Sequence, residues 1–298
     1  MVINKILDTD LIEDETHIDS EFVLDARHTA TKEIVIRGHK VPINRYLHEN
    51  LLFIKKGIEN NFDGVMLFDG MEGSGKSELA NECALVIDDT FNEDDIFYTV
   101  EQFDIWLENA APGKSGVWDE FALAGLGADA LTSLQTLLIK KFVMIRKKRL
   151  FIALVIPYFF MLRRYFATSR TRALIHVYTK GMTRGYFKFY NYQKKLRLYV
   201  TGYKYMDYKI GGVHPDFTGT FKAWSHKYIN DDIVQEKKDE AIENLGDARF
   251  SMTKARIKLL KDIVEEVLEG KNPYDQRVDK NRCQNFASLK RDLAKMDK

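Results

Sequence analysis

Gly64-Val-Met-Leu-Phe-Asp-Gly-Met-Glu-Gly-Ser-Gly-Lys-Ser77 reads as a buried strand running into a glycine-rich loop. Val65 to Phe68 is a short apolar run bounded by Gly64 and Asp69, the pattern of a central parallel strand. Gly70, Gly75, Lys76 and Ser77 then fill G-x-x-x-x-G-K-[ST] without a mismatch. Each part has a physical task. The glycines, with Gly73 and Ser74 inside the loop, let successive backbone N–H groups turn inward onto phosphate oxygens. Lys76 is expected to place its charge between the β- and γ-phosphates, and Ser77 to hold Mg²⁺ through its hydroxyl. Lys76 to Ile87 continues as a good helix former, so a helix N-terminus faces the phosphates. Four fixed positions match by chance in roughly one chain of this length in a hundred. The flanking strand and helix separate the motif from an ordinary glycine turn.

Downstream, Asp95 to Val100 reads as a second strand and Gln102 to Asn109 as a helix broken by Pro112 and Gly113. Ser115-Gly-Val-Trp-Asp-Glu-Phe121 offers a strand ending in Asp119 and Glu120, the pattern of a Walker B element. There the aspartate holds the Mg²⁺ shell and the glutamate polarises the attacking water. A competing acid pair, Asp88-Asp89, has a stronger apolar lead-in. It follows Lys76 by only the span of the loop helix, so Asp119 and Glu120 are preferred. Leu131 to Lys148 is expected to be a long helix, Leu150 to Ile156 a strand stopped by Pro157, Phe159 to Thr168 a helix and Arg172 to Tyr178 a strand. Gly185–Tyr190 and Lys195–Val200 alternate as a β-hairpin would. His176 reads as a core or near-core residue.

The 298 residues suit one large domain or a domain with an appendage, and a 45% hydrophobic content is ordinary for a globular chain. Cys83 and Cys283 are too few for a disulfide framework or a metal site, which suggests a reducing compartment. No secretory signal is apparent. The longest apolar run, Leu150 to Leu162, has 13 residues, too short to span a bilayer. No membrane association and a cytoplasmic location are therefore expected. The net charge is +1, but residues 1–25 carry eight acids and one lysine, whereas residues 121–205 carry 17 Lys/Arg and one acid, Asp129. Solvated faces normally mix signs. So long a one-signed stretch has the footprint of a polyanion-binding surface. Its densest parts are Lys140, Lys141, Arg146, Lys147, Lys148 and Arg149, then Lys188, Lys194, Lys195 and Arg197 on the expected hairpin.

The organisation expected is an acidic N-terminal arm over 1–43, with a small hairpin at Lys32–Pro42, a core over 44–228 and a helical segment over 229–298. The fold class is α/β: a P-loop NTPase core with a mostly parallel central sheet flanked by helices, a β-hairpin addition and a helical C-terminal segment. In that segment Ser251 to Gly270 carries one apolar stripe, and a last helix covers Asn285 to Lys295.

From Val65 to Tyr178 the sequence resembles the additional-strand P-loop ATPases, which include DNA translocases of the HerA/FtsK type and viral genome-packaging ATPases. The matching positions are Gly70, Gly75, Lys76 and Ser77, then Asp119 and Glu120, followed by two further strands with arginines between them. Arg184-Gly-Tyr-Phe-Lys-Phe-Tyr190 also resembles phage-borne, zonular-occludens-toxin-like members. The resemblance implies ATP and Mg²⁺ as cofactors, a homo-oligomeric ring, double-stranded DNA as substrate and a portal or other assembly protein as docking partner. It also implies an arginine that reaches a neighbour's ATP. Arg163, Arg164, Arg170 and Arg172 lie where such a residue would sit, with no acid among them to pair locally, and Arg170 and then Arg163 are the foremost candidates. The sequence departs from the family where a polar sensor normally ends the strand after the acid pair, since it reads Val155-Ile-Pro-Tyr158 there. Neither the membrane segment of the toxin-like members nor a terminase nuclease is expected. Two other functions remain open: a nucleotide or polynucleotide kinase, with the basic residues forming a lid or acceptor site, and a nucleotide-gated DNA-binding adaptor.

Overall fold

The computed structural model describes residues 30–119, 141–162 and 164–243. Glu120, Lys140, Arg163, the acidic stretch 1–25 and the helices expected at 251–270 and 285–295 lie outside the described residues. The chain divides into two compact units, Met1–Val234 and Gln235–Lys298. In the second, residues 235–243 are helical.

The first unit opens with a hairpin, β1 (Thr31–Ile36) and β2 (His39–Asn44), paired from Thr31↔Asn44 to Ile36↔His39. Arg37 and Gly38, both at positive φ, make its two-residue turn, the geometry whose twist suits a hairpin. Asn44 then caps α1 (Arg45–Glu59) by accepting from the N–H groups of Tyr46 and Leu47. The central elements are β3 (Gly64–Asp69), α2 (Lys76–Ile87), β4 (Ile96–Phe97), α3 (Val100–Asn109), β5 (Ser115–Trp118), a helix over 141–148 (α4) and β6 (Phe151–Val155). After β6, where the sequence predicts a helix over Phe159 to Thr168, come a 3₁₀ turn at Phe159–Met161 and a π-helical turn at Tyr165–Arg170. The unit continues with β7 (Ala173–Lys180), β8 (Thr183–Tyr190), α5 (Tyr192–Gly202) and β9 (Phe217–Thr220).

Seven strands form one sheet in the order β4-β5-β6-β3-β7-β8-β9. The first five run parallel, and β8 and β9 add on antiparallel. β3 is buried along its whole length, as its unbroken apolar reading requires. Val65 and Leu67 enter a core with Phe103 and Trp106 of α3, Phe142 and Ile145 of α4, and Leu198 and Tyr199 of α5. Met66 and Phe68, equally buried, point to the other face. The rejected acid pair proves structural: Asp88 ends α2, and its carboxylate accepts from the N–H of Ser115 at 3.0 Å and lies 3.5 Å from Lys114 Nζ.

The expected hairpin needs correction. Its first strand exists as β8, but its partner is β7, in register at His176↔Lys188. Lys195–Val200 is helical, within α5. Asn191 caps that helix by accepting from Lys194 N–H, and the buried positions Lys195, Leu198, Tyr199 and Gly202 fall at helical spacing. The apparent alternation arose because Lys195 was counted as polar and outward. It is fully buried, and its Nζ donates to Ala167 O at 2.5 Å and Thr171 Oγ1 at 3.0 Å. A DNA contact through Lys195 is therefore ruled out by this fold.

Burial pushes the Lys195 ammonium down from its ordinary 10.5 to about 7. The unfolded chain keeps that proton to higher pH, so between about pH 7 and 10 it binds more protons than the folded chain. Stability must rise with pH across that window through this residue. Lys195→Met should flatten the rise, as measured by urea denaturation at pH 7, 8 and 9. An equally steep rise in the variant would show that Lys195 is not its source.

Candidate functional site

The glycine loop leaves the C-terminal end of β3 and enters α2. Two glycines make this path possible. At Gly70 (φ +139°) a Cβ would lie 1.9 Å from the carbonyl oxygen of Val177 on the neighbouring β7. At Gly75 (φ +97°) the left-handed backbone turns directly into α2, which starts without any side-chain cap. The first N–H groups of α2 thus take no acceptor from a capping side chain. Within the loop the Ser74 hydroxyl is buried with no hydrogen-bond partner among the described residues. An orphaned donor inside a curled, glycine-lined loop at a helix N-terminus suits an oxyanion.

Lys76 Nζ donates to Met71 O at 2.8 Å, back across the loop. Ser77 Oγ donates to Asp119 Oδ1 at 2.8 Å. Asp119 lies at the end of β5 and is 5% exposed, its N–H bonded to Phe97 O of β4. β5 and β3 are not neighbours, because β6 runs between them. The fold therefore brings together Gly70, Gly73, Ser74, Gly75, Lys76, Ser77 and Asp119. One carboxylate and one hydroxyl suit Mg²⁺, which takes few protein ligands and completes its shell with phosphate oxygens and water.

β6 ends in the apolar run to Ile156, as the sequence reads. The polar group at this edge is instead Asp69, the last residue of β3 and fully buried. Its carboxylate accepts from Phe159 N–H at 3.2 Å and from the Tyr208 hydroxyl, and contacts His176 Nδ1 at 3.0 Å. Burial and the adjacent Asp69 carboxylate raise the Tyr208 phenol well above its ordinary value, so it stays protonated and donates. His176 is near-core, as expected, with its side chain 20% exposed. Sequence reading missed this cluster, whose members are 107 and 139 residues apart from Asp69. It also missed Arg184 and Phe221. Arg184 Nη2 lies 3.7 Å from where a Cβ on Gly73 would be, and the Phe221 ring 3.1 Å from the equivalent point on Gly75. Nothing in their local sequence marks either one as a neighbour of the glycine loop.

The arginine expectation changes. Arg170 is paired with Asp63, whose side chain is 7% exposed, and its guanidinium stacks 4.6 Å above the Phe142 ring. Asp63 is remote in sequence, so a search among neighbouring residues finds no acid. Asp63 precedes β3 and Arg170 precedes β7, so this pair sits at the edge of the sheet opposite the loop. Arg170 is accordingly a structural residue rather than one free to reach a neighbour.

The basic residues are also more engaged than their charge suggests. Lys141 pairs with Asp104, and Lys148 Nζ donates to the carbonyls of Leu107, Glu108 and Ala110 at the end of α3. Arg149 reaches Asn61 at 3.1 Å, and Lys194 lies 3.3 Å from Asp216. Lys188 is half-buried with its Nζ 5.3 Å from the Tyr178 ring centre, and burial followed by the Lys209 charge lowers its pKa. Arg146, Lys147 and Arg197 are exposed. At that same far edge a cleft of about 570 Å³ opens, lined among others by Asn50, Ile54, Phe62, Arg172 and Tyr192. Its walls are mainly apolar and none of its lining residues belongs to the glycine loop.

Compared with known protein families and with characterised proteins, the sequence matches no family model and no characterised protein. Among the described residues no helix is long and apolar enough to cross a membrane.

Arg170→Met should lower the unfolding free energy by about 3 kcal/mol, because Asp63 would be left buried without its partner. The double variant Asp63→Asn/Arg170→Met should recover much of the loss. An unchanged urea midpoint in the single variant would remove Arg170 from the structural set.

Proposed function

We propose that the protein is an ATP-hydrolysing motor that translocates double-stranded DNA, of the kind that packages a viral or mobile-element genome. The observation that carries this reading is the 2.8 Å contact between Ser77 and Asp119 across an intervening strand. A glycine loop on one strand, an acid on another and one strand inserted between them is the arrangement the additional-strand ATPases are named for. On this reading Gly70, Gly73, Ser74 and Gly75 shape the phosphate cradle, and Lys76 supplies its charge. Ser77 and Asp119 would hold Mg²⁺. Glu120, next to Asp119, is the residue assigned to polarising water. ATP supplies the phosphoanhydride bond whose hydrolysis drives movement.

The DNA-binding part rests on fewer residues than the sequence offered. Arg146, Lys147 and Arg197 are the exposed contacts, with Lys140 added from the sequence. A ring of identical subunits, a portal-like docking partner and a trans-acting arginine belong to the same proposal. With Arg170 taken up by Asp63, Arg163 is the residue for the last role.

Lys76→Ala should abolish ATP turnover and weaken nucleotide binding, whereas Glu120→Gln should keep binding and lose turnover, read by phosphate release and equilibrium titration. Normal turnover in Glu120→Gln would sink the acid-pair assignment. Duplex DNA should stimulate hydrolysis. Its binding should weaken with a log–log salt slope near −0.9 per phosphate contact, and Lys147→Ala should flatten that slope by roughly one unit per engaged subunit, for every sequence alike. No duplex binding at low salt, with phosphate transfer to a nucleotide or polynucleotide acceptor, would move the kinase reading to the front.

A further inference from the structure

The antiparallel addition to the sheet has no task in the reading above, yet it reaches the glycine loop at two points. Arg184 on β8 brings Nη2 to 3.7 Å from the position a Cβ on Gly73 would take. It is exposed and makes no ion pair among the described residues. Phe221, just beyond β9, brings its ring edge to 3.1 Å and 3.5 Å from the equivalent point on Gly75. The two residues are held in one unit. Phe221 N–H donates to Gly185 O at 2.9 Å, and at Gly185 (φ +92°) a Cβ would collide with Phe221 O at 2.6 Å. The chain after Phe221 is anchored to α2 itself, because Glu82 accepts from Trp224 N–H at 3.0 Å and Glu78 from Ser225 N–H at 2.9 Å. Phe221 is thereby fixed beside the start of the helix that the loop feeds.

We propose that β8 and β9 complete the nucleotide site within the same subunit, with Arg184 contacting the phosphates and Phe221 stacking on the base. The inference rests on the nucleotide-binding reading of the loop and goes beyond it by assigning two further ligand contacts. A guanidinium with no ion pair among the described residues, beside the middle of a phosphate cradle, is placed for charge-assisted bonds to phosphate oxygens. The N–H groups at the loop's end and the first turn of α2 take the α- and β-phosphates, so an aromatic ring next to Gly75 lies toward the nucleoside end. Base-on-aromatic stacking tolerates any base. The site should therefore favour nucleoside triphosphates over tripolyphosphate without a strong choice among bases.

Calorimetric titration of the full-length chain with ATP and with inorganic tripolyphosphate, both with Mg²⁺, tests this. Arg184→Ala should weaken both ligands by roughly 10- to 100-fold, and Arg184→Lys should recover part of the loss. Phe221→Ala and Phe221→Leu should weaken ATP by about 10-fold and leave tripolyphosphate unchanged. Phe221→Leu preserves an apolar side chain should the alanine variant fold poorly, and thermal melting checks every variant. For Phe221 a purely structural role would move both ligands together, and for Arg184 it would leave Arg184→Lys no better than Arg184→Ala. If Lys76→Ala loses ATP while the Arg184 and Phe221 variants bind both ligands like the parent, the inference falls and the nucleotide-binding reading stands. If the unaltered chain binds neither ligand, that reading falls as well.

Discussion

The site depends on one close approach. The carbonyl of Val177 occupies the space where any other residue at position 70 would carry its Cβ. Because position 70 is glycine, β7 can lie flush against the end of β3 while the chain turns away into the loop. From that turn follow the left-handed Gly75, the uncapped start of α2 and the position of Ser77 one residue into the helix. The contact between Ser77 and Asp119 then fixes how α2 stands against β5, across β6. A methyl group at residue 70 would have to push β7 or the loop aside, and either shift would separate groups that act only at hydrogen-bond distance.

The two edges of the sheet carry different chemistry. The loop, Asp119, Asp69 and Arg184 gather at the end where the parallel strands finish. Arg146, Lys147, the capping Lys148 and the Arg170–Asp63 pair precede β6, β7 and β3, at the end where they begin. Strands of five or six residues put these edges roughly 17–20 Å apart. Salt weakens any direct electrostatic influence over that distance, which is about two Debye lengths at physiological ionic strength. On the proposed motor reading the two edges must be linked through rigid elements. β6 is such an element: it starts directly after the basic turn and runs buried between β3 and β5, to finish beside the loop.

What the sequence revealed and what it concealed divide along physical lines. β3, the glycine loop and α2 were legible because glycine placement and an unbroken apolar run are local signals. Asp119 was legible because it ends a strand at a suitable distance along the chain. The hairpin was misread because a buried lysine mimics an exposed one in any polar–apolar pattern, and only the helical spacing of Lys195, Leu198 and Tyr199 distinguishes them. Arg170 looked unpaired because its acid, Asp63, lies 107 residues earlier. Arg184 and Phe221 were hidden for the same reason. Their meaning comes from sheet order, which places β8 and β9 beyond β7.

Asp69 is the buried polar group that ties the end of β3 to its surroundings. The strand next to β3 ends without a side chain able to bond across the site, but Asp69 takes the Phe159 N–H just past that strand's end. The same carboxylate holds Tyr208 and His176, so it joins the segments after β6, within β7 and after α5 at the root of the loop. Burying a lone carboxylate is costly, and three donor contacts offset that cost. The Tyr208 phenol stays protonated and keeps donating. Any movement of the loop's first residue must therefore either carry these segments with it or leave a buried carboxylate short of partners. That ties the start of the loop to β6 and β7 more firmly than packing alone would.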